Sequence, residues 1–279
     1  QRYDVRADRK LEPGKHLFGD RSAPEHVTPL EHQHLAAGPR EIRSARQAVV
    51  STANHDRVVL HSVVVPRSAR WPRRKYTFAV PVGSAFHART RELCESLSYR
   101  DWAGYYAVSA YETHHEHEYN ALRNACGAID ISPLFKYRVS GPDATRLVNR
   151  VITRDASKMA VGQVYYTPWC DDAGKVIDDG TVTRVDEQSF RWTAADPSLR
   201  WLTRNASGLD VQVDDISEQV AALALQGPTA AALLRKVSTA DLGSLRYFRA
   251  TSGTIAGVPV DISRTGYTGD LGYEIWMSW

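Results

Sequence analysis

Two glycine-rich segments each deliver a carboxylate that could do chemistry. Asp178 and Asp179 lie in Gly174-Lys-Val-Ile-Asp-Asp-Gly180, and Glu274 closes Thr265-Gly-Tyr-Thr-Gly-Asp-Leu-Gly-Tyr-Glu274. A carboxylate can accept two parallel N–H donors, stabilise positive charge developing on a nearby nitrogen, or carry a proton. The two segments therefore point to a site that reads a nitrogen-rich ring and does chemistry at a nitrogen. Both read as turns that deliver an acid. If the first is extended instead, Asp178 and Asp179 face opposite ways, and only one of them serves a given site.

Other constellations carry less. Gly266, Gly269 and Gly272 are spaced 1-4-7, and strand-like Tyr273-Glu-Ile-Trp276 follows them, so they do not form a dinucleotide loop. No Walker-type loop occurs. His114, His115 and His117 alternate with Glu116 and Glu118 without the order of a zinc helix or an evident third ligand. They read as a solvated face, and no metal is expected. The cysteines, Cys94, Cys126 and Cys170, are odd in number and widely spaced, which argues against a disulfide framework and for a reducing, cytoplasmic setting.

The elements that must position the acids begin near Phe86. Helical spacing runs from Phe86 to Leu97 and again from Tyr111 to Cys126, with Gly127 as C-cap. Ala128–Ile131, Phe135–Val139, Val164–Tyr166, Thr181–Thr183 and Phe190–Thr193 read as strands. Gly141-Pro-Asp opens a helix with Leu147, Val148, Val151 and Ile152 on one face. The plan then repeats: Val220–Leu225 is a strand, Gln226-Gly-Pro-Thr229 opens a second helix, and Thr254–Ile262 turns as a hairpin at Gly257. Mixed order and two similar halves predict an α+β fold with duplicated mixed or antiparallel-sheet subdomains.

The 279 residues are 43% apolar and 24% charged, typical of a globular chain, with no run long enough to span a membrane. The net charge of +3 hides a split: residues 1–80 carry 15 Lys/Arg against 8 Asp/Glu, and the remainder carry 20 against 24. The first segment has Arg-rich patches such as Arg67–Lys75 and one strand-like run, Val58–Val65. It lacks the stacking or groove-reading motif of a nucleic-acid arm and is too acidic for a transit peptide. It reads as a basic extension, disordered or not native, preceding a domain over residues 81–279. The opening on Gln1 fits a fragment.

From Phe86 onward the chain resembles the aminomethyltransferase (glycine-cleavage T-protein) family of tetrahydrofolate-dependent one-carbon transferases. The resemblance rests on Ala128-Ile-Asp-Ile-Ser132, Ser140-Gly-Pro142, Gly162-Gln-Val-Tyr-Tyr166, Gly174–Asp179, Leu225-Gln-Gly-Pro228, and Ser263-Arg-Thr-Gly-Tyr-Thr-Gly269 through Ile275. It implies that Glu274 accepts from the ring N–H and amine of the pterin. It also implies that Asp179 acts near the reactive folate nitrogens, that Tyr267 and Tyr166 contact the rings, and that Asp178 is structural. The family reaction moves an aminomethyl carbon from a lipoyl carrier protein to tetrahydrofolate and releases ammonia. Alternatives are a folate-dependent demethylase of a methylated amine or ether, and a non-catalytic folate-binding protein. The chain departs from the family in having Pro133 where a His is usual and Trp192-Thr-Ala-Ala195 in the strand where an Asn is usual. The family's C-terminal domain is expected to be missing after Trp279.

Overall fold

The computed structural model describes Val49–Ser51 and residues 80–279. The basic patch and the strand expected at Val58–Val65 lie outside the described residues. In chain order the elements are β1 (Val49–Ser51), α1 (His87–Thr90), β2 (Ser98–Trp102), β3 (Tyr105–Ala110), α2 (Glu116–Asn124), β4 (Gly127–Asp130), β5 (Phe135–Ser140) and α3 (Ala144–Val151). They continue with β6 (Val164–Cys170), β7 (Val176–Asp186), β8 (Ser189–Ala194), α4 (Leu199–Asn205), β9 (Gln212–Asp215), β10 (Val220–Gln226), α5 (Ala230–Val237), β11 (Ala250–Ile255), β12 (Val258–Ser263) and β13 (Gly272–Ser278).

Two antiparallel sheets result, ordered β6-β7-β8-β5-β9 and β11-β12-β13-β10-β4-β1, beside the β2–β3 hairpin. The α+β reading therefore holds, and the duplication extends to single hydrogen bonds. Gly141 and Gly227 have φ of 130° and 126°, and each opens an eight-residue helix whose N-cap, Asp143 or Thr229, has nearly the same backbone angles. A side chain at either glycine would strike backbone: a Cβ would lie 2.8 Å from the Asp210 carbonyl oxygen, or 2.5 Å from that of Ala125. The helices cover equivalent sheet faces, α3 with buried Leu147 and Val148, α5 with buried Ala230 and Leu234. Each apolar helix stripe closes its own core against the inward-facing residues of its strands, such as Val182 and Trp192 under α3 and Ile262 and Ile275 under α5.

The fifth strands are exchanged. β4 precedes the first half but pairs with β10 of the second, and β9 precedes the second half but pairs with β5 of the first. The motif Asp130-Ile-Ser132 recurs as Asp215-Ile-Ser217. In each copy the aspartate Oδ1 accepts the serine N–H at 2.9 Å. The serine Oγ in turn accepts a backbone N–H of the other half, Ala222 at 3.1 Å or Lys136 at 2.9 Å.

Several sequence expectations change. The helix expected over Phe86–Leu97 is one turn plus the 3-10 turn Arg91–Leu93. Leu93 and Leu97 are exposed, so they supply no apolar face to hold a longer helix, and Leu97 turns the chain with φ 54°. The second helix begins at Glu116, not Tyr111, because the buried Glu118 carboxylate accepts the Tyr111 N–H and folds Tyr111–His115 around itself. Gly127 is no C-cap. It opens β4 and pairs with Gln226, and Ala125 ends the helix. Asp178 and Asp179 are not in a turn but inside β7; the turn is the preceding Asp171–Lys175, with Gly174 at φ 77°.

Candidate functional site

Extended backbone sets the first cluster. In β7 the side chains of Asp179, Thr181 and Thr183 share one face, and Val182 points into the core beneath α3. Pairing places Thr183 opposite Arg191 of β8, and Thr181 Oγ1 meets Thr193 Oγ1 at 2.5 Å. Tyr166 of β6, opposite Thr181, donates its hydroxyl to Asp179 Oδ2. That bond, with burial, pushes the Tyr166 hydroxyl pKa upward. The ring remains 53% exposed and free to meet a ligand. Asp178, on the opposite face, accepts the Asp196 N–H at 3.0 Å, and burial raises its pKa. Gly180 lets β7 and β8 approach: a Cβ there would lie 2.0 Å from the Thr193 carbonyl oxygen.

The second cluster centres on Glu274 in β13, opposite Ser263 of β12 and Ala224 of β10. The residue is 6% exposed. Thr265 donates to Oε2 at 2.8 Å, Thr265 Oγ1 lies 2.8 Å from Ser263 Oγ, and Trp276 Nε1 donates to Ser263 Oγ at 3.3 Å. Burial raises the Glu274 pKa against the opposing pull of the Thr265 hydroxyl, Arg191 and Ser263. Two hydroxyls leave acceptor capacity on a carboxylate with about four lone-pair sites. The Tyr267 residue is 51% exposed, yet crowding at its hydroxyl end raises its pKa, with the Glu274 charge adding and Arg100 opposing.

Sequence reasoning missed the residues that hold this loop. Gln226, read only as a helix opener, is fully buried, and its amide donates to the carbonyls of Thr265 and Tyr273, both at 3.4 Å. Its Oε1 accepts from Thr268 at 3.0 Å. A Cβ at Gly266 or Gly272 would lie 2.0 or 2.1 Å from that oxygen, so both glycines are needed where Gln226 packs. Arg123 of α2 holds the far side through the Thr268 carbonyl at 3.0 Å and Asp270. Arg264, before the glycine loop, donates to the Leu245 carbonyl at 3.0 Å, as Arg184 does to that of Met159 at 2.7 Å in the other half.

The structure thus joins Tyr166 to Asp179 and sets Tyr267 beside Glu274, one pair on each sheet. Arg191 links the sheets. It sits on the face that carries Asp179, reaches Asp261 Oδ2 of β12 at 3.0 Å, and lies 4.5 Å over the Trp276 ring. Of the histidine run, His117 bonds exposed Glu112 at 2.6 Å. No group of three or more His, Cys, Asp or Glu side chains suited to a metal occurs among the described residues. No helix there is long and apolar enough to cross a membrane.

Residues 89–279 match the family model described as the GCVT N-terminal domain. The chain belongs to the GCVT N-terminal domain family. It is 38% identical over 165 residues to an aminomethyltransferase of Halothermothrix orenii, across 58% of this chain and 46% of that one. It is 36% identical over 204 residues to a trimethylamine-oxide aldolase of Ruegeria pomeroyi, across 69% of this chain and 26% of that one. The crystal structure of the glycine cleavage system aminomethyltransferase T from Bartonella henselae is similar, with a TM-score of 0.59 and 28% identity over 67% of this chain and 52% of that one. The chain spans about half the length of the aminomethyltransferases it matches. Within the GCVT N-terminal domain, the motifs that carried the resemblance fall on β4, on the strand pairs β6–β7 and β12–β13 and on the two glycine-proline turns.

Proposed function

We propose that this GCVT N-terminal domain binds tetrahydrofolate and takes part in one-carbon transfer to it. The observation that carries the reading is Glu274, a buried carboxylate with spare acceptor capacity beside a half-exposed tyrosine. Such a group is costly without donors, and the adjacent ring N–H and amine of a pterin supply two. Glu274 would accept both. Tyr267 and Tyr166 would lie against the rings. Asp179, held by Tyr166, would stabilise positive charge at the reacting nitrogen and orient it. Tetrahydrofolate supplies the nucleophilic nitrogen. The donor would be the aminomethyl group of a lipoyl carrier protein, with release of ammonia, as the resemblance to the glycine-cleavage T-protein family implies; the names of the relatives support the aminomethyl group alone.

A second reading, a folate-dependent demethylase, draws on Pro133, where the T-protein pattern has His, and on Trp192-Thr-Ala-Ala195, where its strand carries Asn. Coverage does not separate the two readings: the trimethylamine-oxide aldolase relative matches 69% of this chain and one aminomethyltransferase relative 71%.

Calorimetric titration with tetrahydrofolate tests the common core of both readings. Saturable binding that Glu274→Gln weakens roughly 10- to 100-fold is expected, the worth of hydrogen bonds to a charged acceptor. No binding by the wild-type chain, or equal binding by the variant, would sink the folate reading. Supplying an aminomethylated lipoyl carrier or a methylated amine to the bound complex then separates the two donors.

A further inference from the structure

Arg191 and Glu274 hold the same place in the two halves. Arg191 pairs with Arg138 of β5 and Thr183 of β7, and Glu274 pairs with Ala224 of β10 and Ser263 of β12. Counted from the ends of β5 and β10, Ser140 and Gln226, the two positions coincide. The duplication has therefore placed opposite charges at equivalent points on facing sheets, both in buried residues.

The surroundings show what Arg191 does there. Its guanidinium lies over Trp276, which shares a face of β13 with Glu274, two residues away. Its NH1 group binds Asp261, the residue directly opposite Trp276, one step along β12 from the Ser263–Glu274 pair. Nε is buried and has no acceptor among the described residues. Asp261 is less enclosed, with 43% of its side chain exposed and Ser252 Oγ donating to it at 2.8 Å. Arg191 thus faces one carboxylate that water also serves and one that water barely reaches.

We propose that Arg191 is the positioning residue of Glu274: its buried guanidinium supplies the compensating charge that lets Glu274 stand as an acceptor-only carboxylate in a dry site. For ligand recognition this rests on the folate reading; the pairing itself does not. An ionised acid accepts at both oxygens, whereas a protonated one presents a hydroxyl to the ring N–H it should receive. The groups facing Glu274 are Arg191 from β8, the Thr265 and Ser263 hydroxyls, and Tyr267 from the glycine loop, with Arg100 of β2 acting on Tyr267. Asp261 competes for Arg191 from β12. The mutual pull of Arg191 and Glu274 favours the charged form of each against burial.

The test follows Glu274 directly, by carbon NMR of the full chain carrying carboxyl-labelled glutamate, with the resonance assigned from Glu274→Gln. Arg191→Met should raise the titration midpoint of Glu274 by about one pH unit or more, and Arg191→Lys should restore most of it. Asp261→Asn should lower the midpoint, because it frees Arg191 for Glu274 and removes a like charge; Arg191→Gln decides the matter if Arg191→Met fails to fold. A midpoint unmoved by Asp261→Asn and Arg191→Met, or an upward shift in Asp261→Asn, overturns the proposal. Tetrahydrofolate titrated against the same proteins should bind Arg191→Met about tenfold more weakly at neutral pH and recover at higher pH. Shifted midpoints in a wild-type chain that binds no tetrahydrofolate would support the pairing and refute the folate reading instead.

Discussion

Gly162 and Phe248 are bound into one symmetric joint: the Val164 N–H donates to the Phe248 carbonyl at 3.0 Å, and the Ala250 N–H donates to the Gly162 carbonyl at 2.7 Å. Gln163 and Arg249 pair at its centre. Both outer residues are left-handed, Gly162 at φ 75° and Phe248 at φ 55°. The first half meets the requirement with glycine, and the second forces a phenylalanine into it. Gly162→Ala is expected to cost about 1–2 kcal/mol for the left-handed backbone. Its Cβ would also lie 3.2 Å from the Ala250 carbonyl oxygen, a contact that Gly174→Ala, at φ 77° in open space, does not make. Urea unfolding should therefore show a larger loss for Gly162→Ala, and equal losses would mean that the joint is soft.

Asp178 and Asp179 should separate by assay. Asp178→Asn weakens the bond to the Asp196 N–H, so its effect belongs to stability. Asp179→Asn should lower turnover by about 10²- to 10⁴-fold, the range of a lost charged or acid–base group, with a smaller change in folate affinity. Tyr166→Phe should fall between wild type and Asp179→Asn. Comparable losses of turnover in both aspartate variants would remove Asp179 from its assigned place.

Gln226→Leu leaves the carbonyls of Thr265 and Tyr273 without their amide donor inside the core. A loss of about 1–3 kcal/mol is expected. Hydrogen exchange should quicken at residues 265–272 more than in the distant sheet. Uniform quickening would assign Gln226 to global packing rather than to the glycine loop.

Lys136 is fully buried, with Nζ donating to the carbonyls of Ser132 at 2.6 Å and Leu134 at 2.7 Å. Burial brings its pKa down to about 7, against the pull of Asp130 and Asp215. The unfolded lysine binds its proton up to about pH 10.4. Between these values the unfolded chain holds more protons, so the Lys136 contribution makes stability rise with pH above 7. Lys136→Met should flatten that rise in urea midpoints measured from pH 6.5 to 9. An unchanged slope would show that the amine remains charged in the fold.

Glu274 has the opposite sign. Burial raises its pKa, so the native state keeps the proton longer than the unfolded chain. The stability this confers is complete below the unfolded value, about 4.3, and is lost as pH rises through the folded value. Glu274→Gln should remove this fall. Urea midpoints measured upward from pH 4.5 that keep the same slope in the variant would contradict it.

Much of the strand order and both helix-opening turns were legible because glycine-proline pairs and apolar stripes act locally. The Asp-Ile-Ser repeat, 85 residues apart, was also there to be read, and it marks the strand exchange. The β2–β3 hairpin was not: Arg100 and Asp101 interrupt its apolar alternation, and Ala103-Gly104 turns it with two positive φ values. At the site, the acids announced themselves by type. Gln226 and Arg191 did not, because each acts across a sheet or between sheets on partners 39 to 70 residues away, a relation that no local spacing encodes.

The exchange of β4 and β9 means that neither half closes its own sheet. A polypeptide ending after β9 would hold one complete sheet and one orphaned edge strand, with the Asp130-Ile-Ser132 hydroxyl seeking an amide that lies only in the missing half. Two copies of a half that ends before β9 would instead satisfy one another by trading first strands. A pair of identical chains, each lending a strand to its neighbour, is therefore the assembly that this single chain internalises. Within one chain the two halves need not be identical, and one carries an arginine where the other carries a glutamate.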